Sequence, residues 1–181
     1  RGWDPGAAEL AQYLARGLSA PCVMARVSRL LLDHNRSPQN RSLWSEYSRD
    51  LPAADKALLL DEFYHPFREQ TGRCIAGRHA VGERVVHISV HSFTPVLDGK
   101  VRNLDIGLLY DTARPEEASF VRTWKSRLVA SHSGRKVRFN IPYRGRSDCH
   151  GRTYRGIYDS KDYIGIELEI NQALLADGQE W

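Results

Sequence analysis

A chain of 181 residues with 41% hydrophobic content can bury one real core but is short for two domains. Its net charge of +4 comes from 26 Lys and Arg interspersed with 22 Asp and Glu, and no basic run carries interleaved aromatics. That pattern argues against a nucleic-acid partner, and no apolar run approaches the ~20 residues of a membrane-spanning helix.

Three widely spaced cysteines, Cys22, Cys74 and Cys149, form no CxxC pair. They exclude a zinc finger or a disulfide framework and suit reduced thiols in a cytoplasm. No signal peptide is visible.

In chain order, Asp4 stands where a helix N-cap belongs, with Pro5 at the first helical position and Glu9 in the early turns. Leu10, Tyr13, Leu14 and Leu18 continue a helical stripe, closed by Gly17 and Ser19-Ala20-Pro21. Cys22 to Ala25 and Ser28 to Leu32 read as a strand or a bent strand pair, ending in the polar cluster Asp33-His34-Asn35-Arg36. Residues 37–52 form a Ser-, Asn- and Pro-rich loop. Residues 53–80 carry a long helical pattern that Pro66 should kink or split. Residues 84–91 are Val/Ile-rich and alternate as a buried strand does. Pro95 has no N–H for a central ladder, so the strand ends near His91. His91, Ser92 and Thr94 therefore lie at a strand's carboxyl end, where open α/β sheets bind ligands.

Asp98-Gly99-Lys100 is a turn, 104–110 a strand, and 115–130 a helix opened by Pro115. A strand at 137–141, a glycine- and arginine-rich loop at 145–161, a strand at 163–170 and a short helix at 172–177 complete the chain. Alternation of this kind predicts a single α/β domain with helices on both faces of a sheet.

Glu167 and Glu169 are two apart on the last strand and so share one face. Two carboxylates on a buried strand are costly unless an arginine, a metal or a watered site receives them. His87 and His91 imitate a helical zinc pair. On a strand, however, four residues span roughly 13 Å, too far to share an ion. No Walker loop, GxGxxG or GxSxG occurs.

Six blocks together carry a resemblance: Trp-Asp-Pro-Gly-Ala at 3–7, Ser-Arg-Leu-Leu-Leu-Asp-His-Asn-Arg at 28–36 and His-Ser-Phe-Thr-Pro-Val at 91–96, then Arg102 with Asp-Ile-Gly-Leu-Leu-Tyr-Asp at 105–111, Asn-Ile-Pro-Tyr at 140–143, and Gly-Ile-Glu-Leu-Glu-Ile-Asn-Gln at 165–172. In this order they resemble the N-formylglutamate amidohydrolase family over almost the whole chain.

The resemblance implies a three-layer fold akin to zinc-dependent exopeptidases, with a mixed, mostly parallel sheet, and a metal-assisted amide hydrolysis of a small N-acyl amino acid. It implies a divalent metal, zinc first, held by Asp4 and His91, with Glu169 as general base. It implies Asn35 and Arg36, with Arg29 or Arg102, as holders of a substrate carboxylate. Ser92, Thr94 and Asn140 are expected to bond the acyl part or support the ligands. The family's first strand, with a further histidine, is expected upstream of Trp3, so the chain reads as lacking it. Two rivals stand beside this: a non-catalytic carboxylate-binding protein on the same scaffold, and a serine hydrolase using Ser92. No glycine flanks Ser92 to form a nucleophile elbow, which counts against the second.

Overall fold

The computed structural model describes residues 2–176. Strand β1 (Val85–Phe93) is followed by a small hairpin of β2 (Val96–Leu97) and β3 (Lys100–Val101), which turns at Asp98 and Gly99, both with positive φ. Then come β4 (Ile106–Leu109), β5 (Val137–Phe139) and β6 (Tyr163–Asn171). Among the described residues the main sheet has the order β1-β6-β4-β5. β1 runs parallel to β6 and β4 parallel to β5, while β4 and β6 are antiparallel, so the sheet is mixed. Pro95 falls just beyond the end of β1, as its missing N–H requires.

Helices cover both faces, as an α/β domain requires. On one face, α1 (Ala7–Gly17) and α4 (Pro115–Ser131) supply Leu10, Leu14, Val121, Trp124 and Leu128. These pack on the even-numbered residues of β1 and β6, among them Ile88, Val90, Ile164, Ile166 and Leu168. On the other face lie α3 (His65–Ala80) and α5 (His150–Arg155), with Ile75 and Tyr154 against Tyr163. The odd-numbered positions there are largely polar: His87, Ser89 and His91 on β1 stand in register with Gly165, Glu167 and Glu169 on β6.

Buried ion pairing fastens this second face. Glu117 on α4 is fully buried and accepts from the Arg155 guanidinium and from the backbone N–H groups of Asp111 and Gly165. Arg155 also donates to the carbonyls of Gly145 and Gly165. Burying a carboxylate is costly unless it is paired and hydrogen-bonded, and here four donors converge on Glu117, Arg114 Nε lying 3.3 Å from Oε1 beside the three hydrogen bonds.

Several elements depart from expectation. The 22–32 segment is irregular, not a strand pair. Its backbone turns on itself from Ser28, whose carbonyl accepts from Leu31 and Leu32, and it is tied to the chain's start by the Arg29 N–H and the Ser28 hydroxyl, both donating to the Gly2 carbonyl. Apolar content alone does not make a strand without a ladder partner. Helix α1 starts at Ala7, capped by Gly6 in the left-handed region, so Asp4 is not its N-cap. The 53–80 pattern is one helical run: α2 (Ala53–Leu59), a five-residue π segment at 60–64, then α3. Pro66 sits in the first turn of α3, and the wider π turn before it accommodates the missing N–H without a break.

Helix α5 lies inside the stretch expected to be loop. Its six residues show no apolar stripe and are held by tertiary contacts such as Tyr154 Oη donating to the Arg68 carbonyl at 3.1 Å. A last short helix, α6 (Ala173–Ala176), occupies the expected place, and position 177 lies outside the described residues.

Candidate functional site

The site is built at the carboxyl ends of β1 and β6. His91 near the end of β1 faces Asp4 at the start of the chain, and His91 Nδ1 donates to Asp4 Oδ2 at 2.8 Å across 87 positions of sequence. Freed from capping duty, the Asp4 carboxylate also meets Arg29 Nη2 at 3.3 Å. Burial works against charge on both partners and is outweighed. His91 is raised to about 9 by the Asp4 bond and the nearby Glu169 and Glu167 carboxylates. Asp4 is lowered by His91, Arg29 and the Ser92 N–H.

Asn35 is the hub between the first polar cluster and the sheet. Its Nδ2 donates to Glu167 Oε1 at 2.8 Å and lies 3.4 Å from His91 Nε2. Its Oδ1 accepts from the His150 backbone N–H at 2.8 Å, and its own N–H donates to Asp33 Oδ1. Glu167 thereby stands 3.8 Å from His91.

Glu169, in register with His91, is 5% exposed, and its Oε2 is buried without a hydrogen-bond partner. Burial first, then the Glu167 and Asp4 charges, push its carboxyl up to about 7 against the pull of His91 and Arg29. On its other side Glu169 is in register with Gly107 of β4. A Cβ on Gly107 would lie 2.2 Å from the Ile141 carbonyl oxygen and 3.2 Å from Glu169 Cβ. Only glycine therefore lets the 140–145 loop close against Glu169.

The remaining expected residues are placed as follows. Arg36 donates to the Asp148 carbonyl at 2.7 Å and stands 3.9 Å from Asp33, so it braces loop to loop. Asn140 has positive φ, and its Oδ1 accepts from the Tyr110 and Gly145 N–H groups, which fixes the loop beside Glu169. Ser92 is turned to the opposite face and its Oγ accepts from Gln172 Nε2 at 3.1 Å. Thr94 is half-buried just past β1. Arg102 is half-buried at the same rim, with Nη1 donating to Tyr143 Oη at 3.2 Å.

Sequence reasoning gave no role to His150, whose backbone ties Asn35, because it lies in a segment without periodic signal. Nor did it single out Asn171, which stands two residues past Glu169 on the same face and donates to the Leu104 carbonyl at 2.8 Å. The alternation of the last strand was the signal available for it.

A cavity of about 680 Å³ runs along the outer edge of β1, between it, α1 and the 20–29 segment. Asp4, Arg29, Asn35, His91 and His150 are in its wall, and Glu169 lies one strand further in. Donors 2.8 Å apart are close enough to share an ion, since zinc bonds of about 2.0–2.2 Å set ligand atoms roughly 3 Å apart. Among the described residues, no group of three His, Cys, Asp or Glu is placed to hold a metal ion.

Fold and site define an α/β domain with a histidine–carboxylate centre where the sheet's parallel pair ends. The N-formylglutamate amidohydrolase family model matches residues 1–176, and the chain belongs to that family. A protein from Agrobacterium tumefaciens, gene product Atu2144, is similar at 30% identity, with 97% of this chain and 70% of that one covered and a TM-score of 0.78. An N-formylglutamate amidohydrolase from Ralstonia eutropha JMP134 shares the fold at 17% identity, with 81% and 62% covered and a TM-score of 0.60. This chain thus spans about two thirds of each neighbour's length. None of the curated proteins matches. No helix among the described residues is long and apolar enough to cross a membrane.

Proposed function

We propose that the protein hydrolyses the amide of an N-acyl amino acid, N-formylglutamate first, with the help of a divalent metal, zinc first. The observation that carries this is Glu169: a buried carboxylate with an orphaned oxygen and a pKa brought near neutrality, in register with His91. A carboxylate poised near 7 takes a proton from water and returns it to a leaving nitrogen with little driving force wasted either way. Asp4 and His91 are the residues that would hold the ion, which when bound supplies polarisation of the scissile carbonyl and a more acidic water.

The chain's own groups do the rest. Asn35 orients Glu167 and keeps it beside His91. Arg29 stands at the cavity wall next to Asp4 and offers a guanidinium to an α-carboxylate, which planar forks bind bidentately. Arg36 is engaged by the Asp148 carbonyl and Asp33 and serves to brace the loops around the site. The substrate is a small molecule, and three unpaired cysteines suit a reducing, cytoplasmic setting.

Elemental analysis tests the metal half of this reading. About one equivalent of divalent metal is expected in the wild-type protein, falling sharply in Asp4→Ala and His91→Ala while circular dichroism is retained. No metal in the wild type after loading, or full occupancy in both variants, would remove Asp4 and His91 from that role.

A further inference from the structure

Arg68 on α3 turns its guanidinium to neutral oxygens. Nη2 donates to the Arg36 carbonyl at 2.8 Å and to the His34 carbonyl at 3.4 Å, while Nη1 donates to Thr153 Oγ1 at 3.0 Å. Tyr64, one helical turn earlier, lies under the guanidinium with its ring centre 4.7 Å from the central carbon, and its Oη donates to the same Arg36 carbonyl at 2.6 Å. Arg68 Nε is buried without a hydrogen-bond partner. An orphaned buried N–H is a cost, and it is carried here by the reach of the two outer nitrogens.

What that reach connects is the setting of Asn35. His34 and Arg36 are its two chain neighbours, so one nitrogen pins the backbone before and after it, across the turn that the Arg36 N–H closes on the Asp33 carbonyl. The Asn35 side chain is held from the other side by α5, whose first residue, His150, donates its backbone N–H to Oδ1 at 2.8 Å. Thr153, the other partner of Arg68, stands on that same helix, and Tyr154 Oη returns a bond to the Arg68 carbonyl at 3.1 Å. Both supports of Asn35 are therefore fastened to one side chain of α3. With them in place, Asn35 Nδ2 meets Glu167 Oε1 at 2.8 Å and lies 3.4 Å from His91 Nε2.

We infer that Arg68 is a positioning residue of the site: it clamps the 33–36 turn to α5, so that the Asn35 amide stays on Glu167 and Glu167 stays beside His91. It acts through Asn35. A lysine at this place keeps the charge, but its single nitrogen cannot span the carbonyl pair and Thr153 at once. A shift of ~1 Å in a group far from the reacting atoms is enough to slow a reaction by up to ~100-fold. The kinetic consequence rests on the hydrolytic reading above, whereas the hold on the Asn35 side chain does not.

The test compares wild type, Arg68→Lys, Asn35→Ala and the double variant, with two readouts. One is the exchange with water of the Asn35 side-chain amide protons, followed by NMR and identified by their loss in Asn35→Ala. The other is formate release from N-formylglutamate. Arg68→Lys is expected to speed that exchange by ~10-fold or more and to lower kcat by ~10-fold with KM changed less than ~2-fold; added to Asn35→Ala, it should lower kcat no further. Thr153→Val, at an exposed position that tolerates the change, loosens the α5 arm alone and should speed the exchange in the same direction even if Arg68→Lys does not fold. Unchanged exchange in folded Arg68→Lys, unchanged exchange in Thr153→Val, or an equal loss of kcat in both backgrounds overturns the inference. If Arg68→Lys speeds the exchange while wild-type protein releases no formate, the clamp stands and the hydrolytic reading fails.

Discussion

Truncation of Asn35 to alanine removes one short side chain and leaves two buried partners behind. The Glu167 carboxylate, in a residue 7% exposed, loses its 2.8 Å donor, and the backbone N–H of His150, in a residue 3% exposed, loses its 2.8 Å acceptor. An unsatisfied buried group costs about 1–3 kcal/mol, more when charged, and the two losses overlap, so about 2–4 kcal/mol is expected. For a chain of this size each kcal/mol lowers Tm by about 2–4 °C, giving a fall of roughly 4–16 °C in a thermal melt. Asn35→Asp keeps the acceptor for His150 but sets a second carboxylate against Glu167, so it should cost about as much at pH 8 and recover as the pH is lowered. If Asn35→Ala melts within 1 °C of wild type and changes only KM, Asn35 touches substrate and does not position Glu167.

Gly107→Ala, which drives a methyl into the Ile141 carbonyl, should cost about 1–3 kcal/mol in a denaturant melt and lower turnover by displacing the loop beside Glu169; wild-type stability would refute the tight approach. His87, half-buried, and His150, buried, are neutral, with His87 lowered by burial and Arg155 to about 4, and His150 lowered by burial, His87 and Arg68. A histidine depressed in the fold takes up its proton on unfolding first. Stability should therefore be full above pH ~6.5 and fall below it, by up to about 1.4 kcal/mol per pH unit for each group, and His87→Phe should flatten part of that slope. Arg36→Lys weakens the brace to Asp148, so kcat/KM for N-formylglutamate and for its α-amide should drop by the same factor; a loss confined to the acid would return Arg36 to carboxylate binding.

The sheet was legible because its strands follow rules a sequence displays. β1 alternates apolar and polar residues over 86–91 and β6 alternates Ile or Leu with Gly, Glu and Asn over 164–171, and Pro95 marks where the first must stop. The shared face of Glu167 and Glu169 follows from that period alone. Asp4 was legible as a special residue but not through its local signal, since the cap belongs to Gly6 and the partner of Asp4 lies 87 residues away. The irregular 22–32 segment and helix α5 were not legible. The former has strand composition without a ladder partner, and the latter is a helix made by what packs on it, Tyr154 and His150 against α3 and β1. Arg36 shows the same limit: its position after an apolar run placed it near the site, but only the fold brings Asp148 within 2.7 Å of it.

The account turns on Glu169 as the base of an amide hydrolysis. The direct measurement is formate release from N-formylglutamate by zinc-loaded wild-type protein and by Glu169→Gln, at pH 8, with metal content and melting curves followed in parallel. Wild type is expected to release formate, and Glu169→Gln to lose ~10²-fold or more while keeping its metal and its fold. Equal release by both proteins, or none from the loaded wild type, would contradict it.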